Sequence, residues 1–296
     1  MARFTERQDK YRLYFHLTYP AAGRLVEIAG YRLSFLTGNW IIFDNLRVLL
    51  NRGKVKMKAW ATKNGYRIFL VLNGRSNAYL ISKENVNVLV DTGVKSAFNL
   101  LRQNIDSLKL PNSKINLLVL THTHYDHCQN AHRIKSDNHC KILMSLDEAK
   151  FVQHGYTPLP KGTFVVTNFV SSMGRLIGKR LFGYEPFTPD LVIDSEFDWF
   201  QKGFKLKFLI TNGHSPGSIS VIVDDEIAIV GDEMMGVYRN SVFTPFADDT
   251  TGMITSWGKL LKTGCEFFLP GHGKSVNWEL LLKEYLKYAR KRNIVT

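Results

Sequence analysis

The chain has 296 residues, 45% hydrophobic and 22% charged, which suits one large domain or two small ones and excludes disordered and collagen-like classes. Only three cysteines occur, Cys128, Cys140 and Cys265, a sparse odd count that excludes a disulfide scaffold and fits a reducing compartment. The net charge of +13 sits at the ends: residues 1–63 carry +8 and residues 257–296 carry +5, while residues 64–256 hold 19 basic and 19 acidic side chains.

A polyanion-binding groove through the middle of the fold is therefore disfavoured. The basic ends read as solvated helices, with an acidic partner, a membrane surface or RNA as the sharper readings. The longest stretch free of charged side chains, Phe208–Val223, spans 16 residues and contains Asn, Gly, His, Ser and Pro, so no transmembrane segment is expected. The opening Met1–Lys10 lacks the apolar run of a secretory signal, and a cytoplasmic location is the expectation.

Residues 1–53 read as a basic, mainly helical extension, with Ile42, Phe43, Leu46, Leu49 and Leu50 at helical spacing and Gly53 as a stop. Residues 54–296 read as one domain. It begins with a hairpin, Val55–Trp60 and Tyr66–Val71, turning at Asn64-Gly65. Strand patterns continue at Asn77–Ser82 and Val88–Val90, followed by a helix around Val94–Ile105 and a buried strand at Ile115–Leu120. Val165–Phe182 is an amphipathic helix with Val166, Phe169, Val170, Met173, Ile177 and Leu181 on one face. That face is expected to pack on the core, or else to wall an apolar pocket. Strands follow at Lys205–Ile210, Ile219–Val223 and Ile227–Val230, the last two joined at Asp224-Asp225. A helix around Met253–Leu261, preceded by the capping pair Asp248-Asp249, leads to a short strand at Phe267–Leu269. A basic helix from Trp278 closes the chain, with Trp278, Leu281, Leu282, Tyr285 and Tyr288 on its apolar face. Strands mixed with helices, some in hairpins, give an α/β class with sheets covered by helices.

Residues Thr121–His127 read THTHYDH, three histidines and an aspartate within six positions directly after a strand. Imidazole and carboxylate are donors suited to Zn²⁺ and related divalent ions. In an extended segment His122 and His124 share a face, and where the chain bends into a helix Asp126 and His127 diverge. One loop thus offers donors to two ions. Further donors follow other apolar runs beside glycine: His214 in Gly213–Gly217, Asp232 after Gly231, and His272 between Gly271 and Gly273. Carboxyl ends of strands are where ligands gather in α/β architectures.

In this order the motifs Val90-Asp91-Thr92-Gly93, His122–His127, Gly213–Gly217, Gly231-Asp232 and Pro270–Gly273 resemble those of the metallo-β-lactamase superfamily. The resemblance implies an αββα sandwich with a dinuclear site at the sheet edges. It implies His122, His124 and His214 on one ion, Asp126, His127 and His272 on a second, and Asp232 bridging both. Asp91 would orient a ligand and the bridging solvent. The catalytic carboxylates would be Asp126 and Asp232. No cysteine stands among these donors, unlike the true zinc β-lactamases, which points away from antibiotic hydrolysis. His at position 124, where the diiron oxygen-reducing branch has glutamate, points to zinc hydrolysis; iron and manganese suit the same donors.

The expected reaction is attack by a metal-bridging hydroxide on an ester, thioester or lactone carbonyl of a small molecule. The alternative is a metal-dependent phosphodiesterase or ribonuclease of the same fold, with nucleic acid the less favoured partner. Tyr238 and Arg239, shortly after Asp232, are candidates for contacting substrate. Self-association into a homo-oligomer is left open. Gly213-His214-Ser215-Pro216-Gly217 also matches the G-x-S-x-G elbow of serine hydrolases, with Asp232 and His272 following in triad order. A strand pattern after Gly217, where the elbow needs a helix, argues against it.

Overall fold

The computed structural model describes residues 57–201 and 203–294, together with two short strands nearer the start of the chain. Those strands, β1 (Phe15–Leu17) and β2 (Val26–Ile28), pair antiparallel with Phe15 opposite Ile28. No sequence signal marked them. The helix expected over Ile42–Leu50 and the residues Val55 and Lys56 lie outside the described residues.

The first large sheet holds seven strands in the order β3 (Ala59–Ala61), β4 (Arg67–Leu72), β5 (Ala78–Lys83), β6 (Val86–Val90), β7 (Leu117–Val119), β8 (Lys141–Ser145) and β9 (Leu191–Ile193). From β3 to β6 the neighbours run antiparallel; from β6 to β9 they run parallel. The second sheet holds six: β10 (Phe197–Gln201), β11 (Phe204–Ile210), β12 (Ile219–Val223), β13 (Ile227–Gly231), β14 (Phe267–Pro270) and β15 (Val276–Asn277). Here only β13 and β14 are parallel. The expected turns are present. Gly65 takes a positive φ of 85° in the β3–β4 hairpin, and Asp224 and Asp225 take φ of 60° and 52° between β12 and β13, as a tight primed hairpin requires.

Period-two alternation sends every second side chain to each face. Val88, Val90, Leu117 and Val119 of the first sheet meet Val221, Ile227 and Ile229 of the second in the central core. The intervening residues Leu89, Leu118 and Leu120 face α1 (Phe98–Ser107), α3 (Ala131–Asn138) and α4 (Leu146–Val152). On the far side, Ile222, Ala228 and Val230 pack under α7 (Thr250–Leu261) and α8 (Trp278–Lys291). The result is an αββα sandwich, as the sequence motifs implied. Asp249 caps α7 by accepting from the Thr251 amide at 2.9 Å, again as expected. The 3₁₀ turn Lys95–Ala97 precedes α1, so the expected helix there starts later.

One expectation is corrected. The helix predicted over Val165–Phe182 is broken at Gly178, whose φ is +56°, into α5 (Val165–Ile177) and α6 (Lys179–Phe182). Its apolar face does not pack on the core. Ser171 and Gly174 are its buried residues, while Val165 is 89% and Leu176 81% exposed. The small side chains on the opposite face allow the backbone to approach Leu159 and Pro160, and this decides which way the helix turns.

Candidate metal centre

Strand direction gathers the donors. Adjacent parallel strands β6, β7 and β8 deliver Asp91, the His122–His127 loop with the short helix α2 (Tyr125–Cys128), and Glu148 at one edge of their sheet. In the second sheet β13 and β14 run parallel, and β11 runs the same way because two antiparallel steps separate it from β13. His214, Asp232 and His272 therefore emerge together. The two edges are tied by backbone bonds from Ile219 N to Thr121 O (2.9 Å) and from Asn77 N to Gly271 O (2.7 Å).

All seven donors named from the sequence converge. Three overlapping groups have ligand atoms within 4.8 Å of one another: His122, His124 and His214; His122, His127 and Asp232; Asp126, His127 and His272. His272 Nε2 lies 3.1 Å from Asp232 Oδ2 and 3.7 Å from Asp126 Oδ2, and Asp232 Oδ2 lies 3.6 Å from His214 Nε2. Asp232 thus stands between the two halves of the cluster.

The hydrogen bonds on the outer side of the rings fix what the inner nitrogens carry. His214 Nδ1 donates to the Phe246 carbonyl at 2.9 Å, so its Nε2 bears a lone pair. The His124 ring also meets the Pro158 backbone. His214 Nε2 lies 3.0 Å from His124 Nδ1. His127 Nδ1 donates to Asp91 Oδ2 at 2.9 Å, which turns its Nε2 inward, 3.4 Å from His272 Nε2. Thr121 Oγ1 spends its hydrogen on Asp91 Oδ2 (2.8 Å) and so accepts from His122 Nδ1 (3.0 Å). That leaves His122 Nε2 buried without a partner, and Asp232 Oδ1 with no closer contact than His127 Nε2 at 3.4 Å. Buried imidazole and carboxylate groups crowded together with polar atoms left unpartnered are costly unless a cation lies among them. The donor set therefore fits divalent ions.

Electrostatics follow the same division. Burial, reinforced by the neighbouring histidines, pulls His122 and His124 well below the ordinary imidazole pKa. Burial would lower His127 too, but the carboxylates of Asp232 and Asp91 outweigh it and hold it well above. Asp232, despite its burial, is held well below the usual carboxylate range by His272 and His127.

Asp91 Oδ2 accepts from His127 Nδ1 and from Thr121 Oγ1, which in turn contacts His122 Nδ1. Asp91 sits at φ +60°, a strained setting for a residue with a side chain, and also accepts from the Thr121 amide at 2.9 Å. Sequence reasoning missed the other positioning residues. Glu148, fully buried, accepts from Thr123 N (2.8 Å), Thr123 Oγ1 (2.5 Å) and Ser215 Oγ (2.6 Å), fastening the loops that carry His122, His124 and His214. Glu233 accepts from the His214 amide at 3.2 Å, and burial pushes its carboxyl well above the usual range. Asn77 Nδ2 and Tyr79 Oη both donate to Pro270 O at 2.8 Å and so hold the His272 loop. In that loop Gly271 is required by close approach, since a Cβ there would collide with Asp232 and His127.

The serine-elbow alternative fails. Ser215 Oγ is engaged by Glu148 and by Ser218 at 2.8 Å, His272 contacts Asp232 and Asp126, and the chain after Gly217 enters β12. Cys128 is no thiolate donor: its Sγ donates to Thr123 O at 3.2 Å and burial raises its pKa well above 9.0. Tyr238 and Arg239 lie exposed, just beyond Gly236, whose amide donates to His272 O at 2.8 Å. A cavity of about 240 Å³ opens beside His124, walled partly by Leu159, Lys161, Arg175 and Asp248.

Comparison with known proteins gives concordant results. A family model described as "Metallo-beta-lactamase superfamily" matches residues 72–272. A probable metallo-hydrolase of Methanocaldococcus jannaschii, MJ0888, is 31% identical over 214 residues, covering 70% of this chain and 93% of that protein. The structure of the superfamily protein ST1585 from Sulfolobus tokodaii matches with TM-score 0.51 and 21% identity, over 72% of this chain and 79% of that one. BLEG-1, a B3 metallo-beta-lactamase, matches with TM-score 0.55 and 18% identity, over 73% and 96%. At such identities the two structural matches speak to the fold alone.

Proposed function

The chain belongs to the metallo-beta-lactamase superfamily and is a metal-dependent hydrolase; on that premise we propose that it cleaves an ester, thioester or lactone of a small molecule with two divalent ions. His122, His124 and His214 would hold one ion, Asp126, His127 and His272 the other, and Asp232 would bridge them. Zinc is our assignment, because imidazole and carboxylate donors suit it; iron and manganese accept the same set. The observation that carries the reading is the convergence of seven imidazole and carboxylate donors around the buried, unpartnered His122 Nε2. We take residues 54–296 as the hydrolase domain and 1–53 as a separate extension. The three cysteines, all free and buried, support a cytoplasmic setting.

When bound, such ions supply Lewis acidity and lower the pKa of water from 15.7 to about 7. The protein supplies the rest. Asp126 and Asp232 accept hydrogen bonds from the attacking water and aim it. Asp91 keeps the proton on His127 Nδ1, so that Nε2 stays a donor toward the centre. Lys161, Arg175 and Asp248, the last 3.8 Å from Arg175, are charged groups of the cavity beside His124; Tyr238 and Arg239 would contact the substrate from the His272 side.

The test is metal analysis of purified protein, followed by turnover of thioesters, lactones, esters, β-lactams and phosphodiesters with and without chelator. The reading expects two ions per chain and acyl hydrolysis that chelation removes. Hydrolysis of phosphodiesters alone, with RNA binding that weakens steeply as salt rises, would replace the acyl reading. Full activity after chelation would end the metal reading.

A further inference from the structure

Helices α5 and α6 present an apolar surface that nothing among the described residues covers. On α5 the outward residues include Val165, Val166, Phe169, Val170, Met173 and Leu176, with Phe169 68% exposed; Leu181 extends the patch onto α6. Soluble proteins seldom leave so contiguous an apolar face in water without a use for it. The charge around it is mostly basic: Asp147 pairs with Lys150 and Asp248 lies 3.8 Å from Arg175, while Lys161, Lys179 and Arg180 have no ion pair among the described residues. Between Glu148 and Glu185 the sequence has no acidic residue, but it has Lys150, Lys161, Arg175, Lys179 and Arg180. Lys179 and Arg180 are exposed at the end of the patch, directly after α5.

We propose that α5 and α6 dock this protein on an anionic lipid surface. The 13 residues of α5 make a helix about 20 Å long, too short to span a bilayer but suited to lying in the boundary between headgroups and acyl chains. Val165, Val166, Phe169 and Leu176 enter the acyl layer, while Lys179 and Arg180 meet the headgroups. A bilayer with anionic headgroups offers both things this surface needs. A second copy does not, because it would bring another Lys179 and Arg180, neither of them ion-paired among the described residues, to an interface whose own helices carry no carboxylate. Arg175 belongs both to α5 and to the wall of the cavity beside His124, so docking would place that cavity close to the lipid.

Metal-loaded full-length protein is sedimented with vesicles of phosphatidylcholine alone, or of equimolar phosphatidylcholine and phosphatidylglycerol. Strong binding only to the mixed vesicles at low salt is expected. The pair Lys179→Gln and Arg180→Gln should weaken it roughly tenfold or more. Phe169→Ser should weaken it as well, with metal content and thermal unfolding unchanged. Met173 should be oxidised readily by peroxide in free protein and protected by mixed vesicles. Absent binding, or binding that Phe169→Ser leaves unchanged, overturns the proposal. So does a dimer that Phe169→Ser dissociates, which would make a second copy the occupant. So does a free monomer whose Met173 resists oxidation, because the chain itself would then cover the patch.

Discussion

Helices α5 and α8 both repeat apolar residues at helical spacing, yet they turn that face in opposite directions. In α8, Leu281 and Ala289 are buried against the six-stranded sheet, and Tyr285 and Tyr288 pack at its margin. In α5 the large residues point outward, and the buried positions are Ser171 and Gly174. Periodicity reveals that a helix has an apolar side. What that side meets depends on the other side. On α8 the opposite face is charged, with Lys283, Lys287 and Arg290, and cannot be buried cheaply. On α5 it is small, and Ser171 Oγ finds the Pro160 carbonyl at 2.5 Å, so either face could have been buried.

The contrast between a buried framework and an outward helix orders the effects of substitution. The largest is expected where the framework converges. Asp232→Ala should lower turnover by about 10³-fold or more and reduce bound metal in elemental analysis. Next is Leu281→Ala on α8, fully buried, which should cost about 2–5 kcal/mol in denaturant unfolding. Glu148→Gln touches none of the proposed ions, yet it should weaken metal affinity or activity by about 10- to 100-fold, read by competition with a chromophoric chelator. The smallest effect should come from Leu176→Ala on α5, within about 0.5 kcal/mol of the parent in the same unfolding assay. If Leu176→Ala proved as destabilising as Leu281→Ala, the contrast drawn between the two helices would be wrong.

Much of the site was legible because its donors are local or flagged. His122, His124, Asp126 and His127 lie in one hexapeptide, and His214, Asp232 and His272 each stand beside glycine. The positioning residues carry no such flag. Glu148 sits in the first turn of α4, where an acidic residue is ordinary helix chemistry, and Asn77 and Tyr79 look like any strand start. In the fold, β8 was missed because its run Lys141–Ser145 continues directly into α4 without a turn residue. Strand β10 was missed because it is an edge strand, exposed on most of its length, and shows no clean alternation. The direction of α5 could not be read at all, since no local pattern states which of two packable faces the rest of the chain will meet.

Glu148 has a consequence for selectivity. By gripping Thr123 from one sheet's loop and Ser215 from the other's, it works as a spacer bar between His124 and His214. The gap between these imidazoles is set by a carboxylate that belongs to neither loop. In the proposed centre a guest of larger radius would have to stretch those clamps, which would place part of any discrimination among cations in a residue outside the proposed donor set.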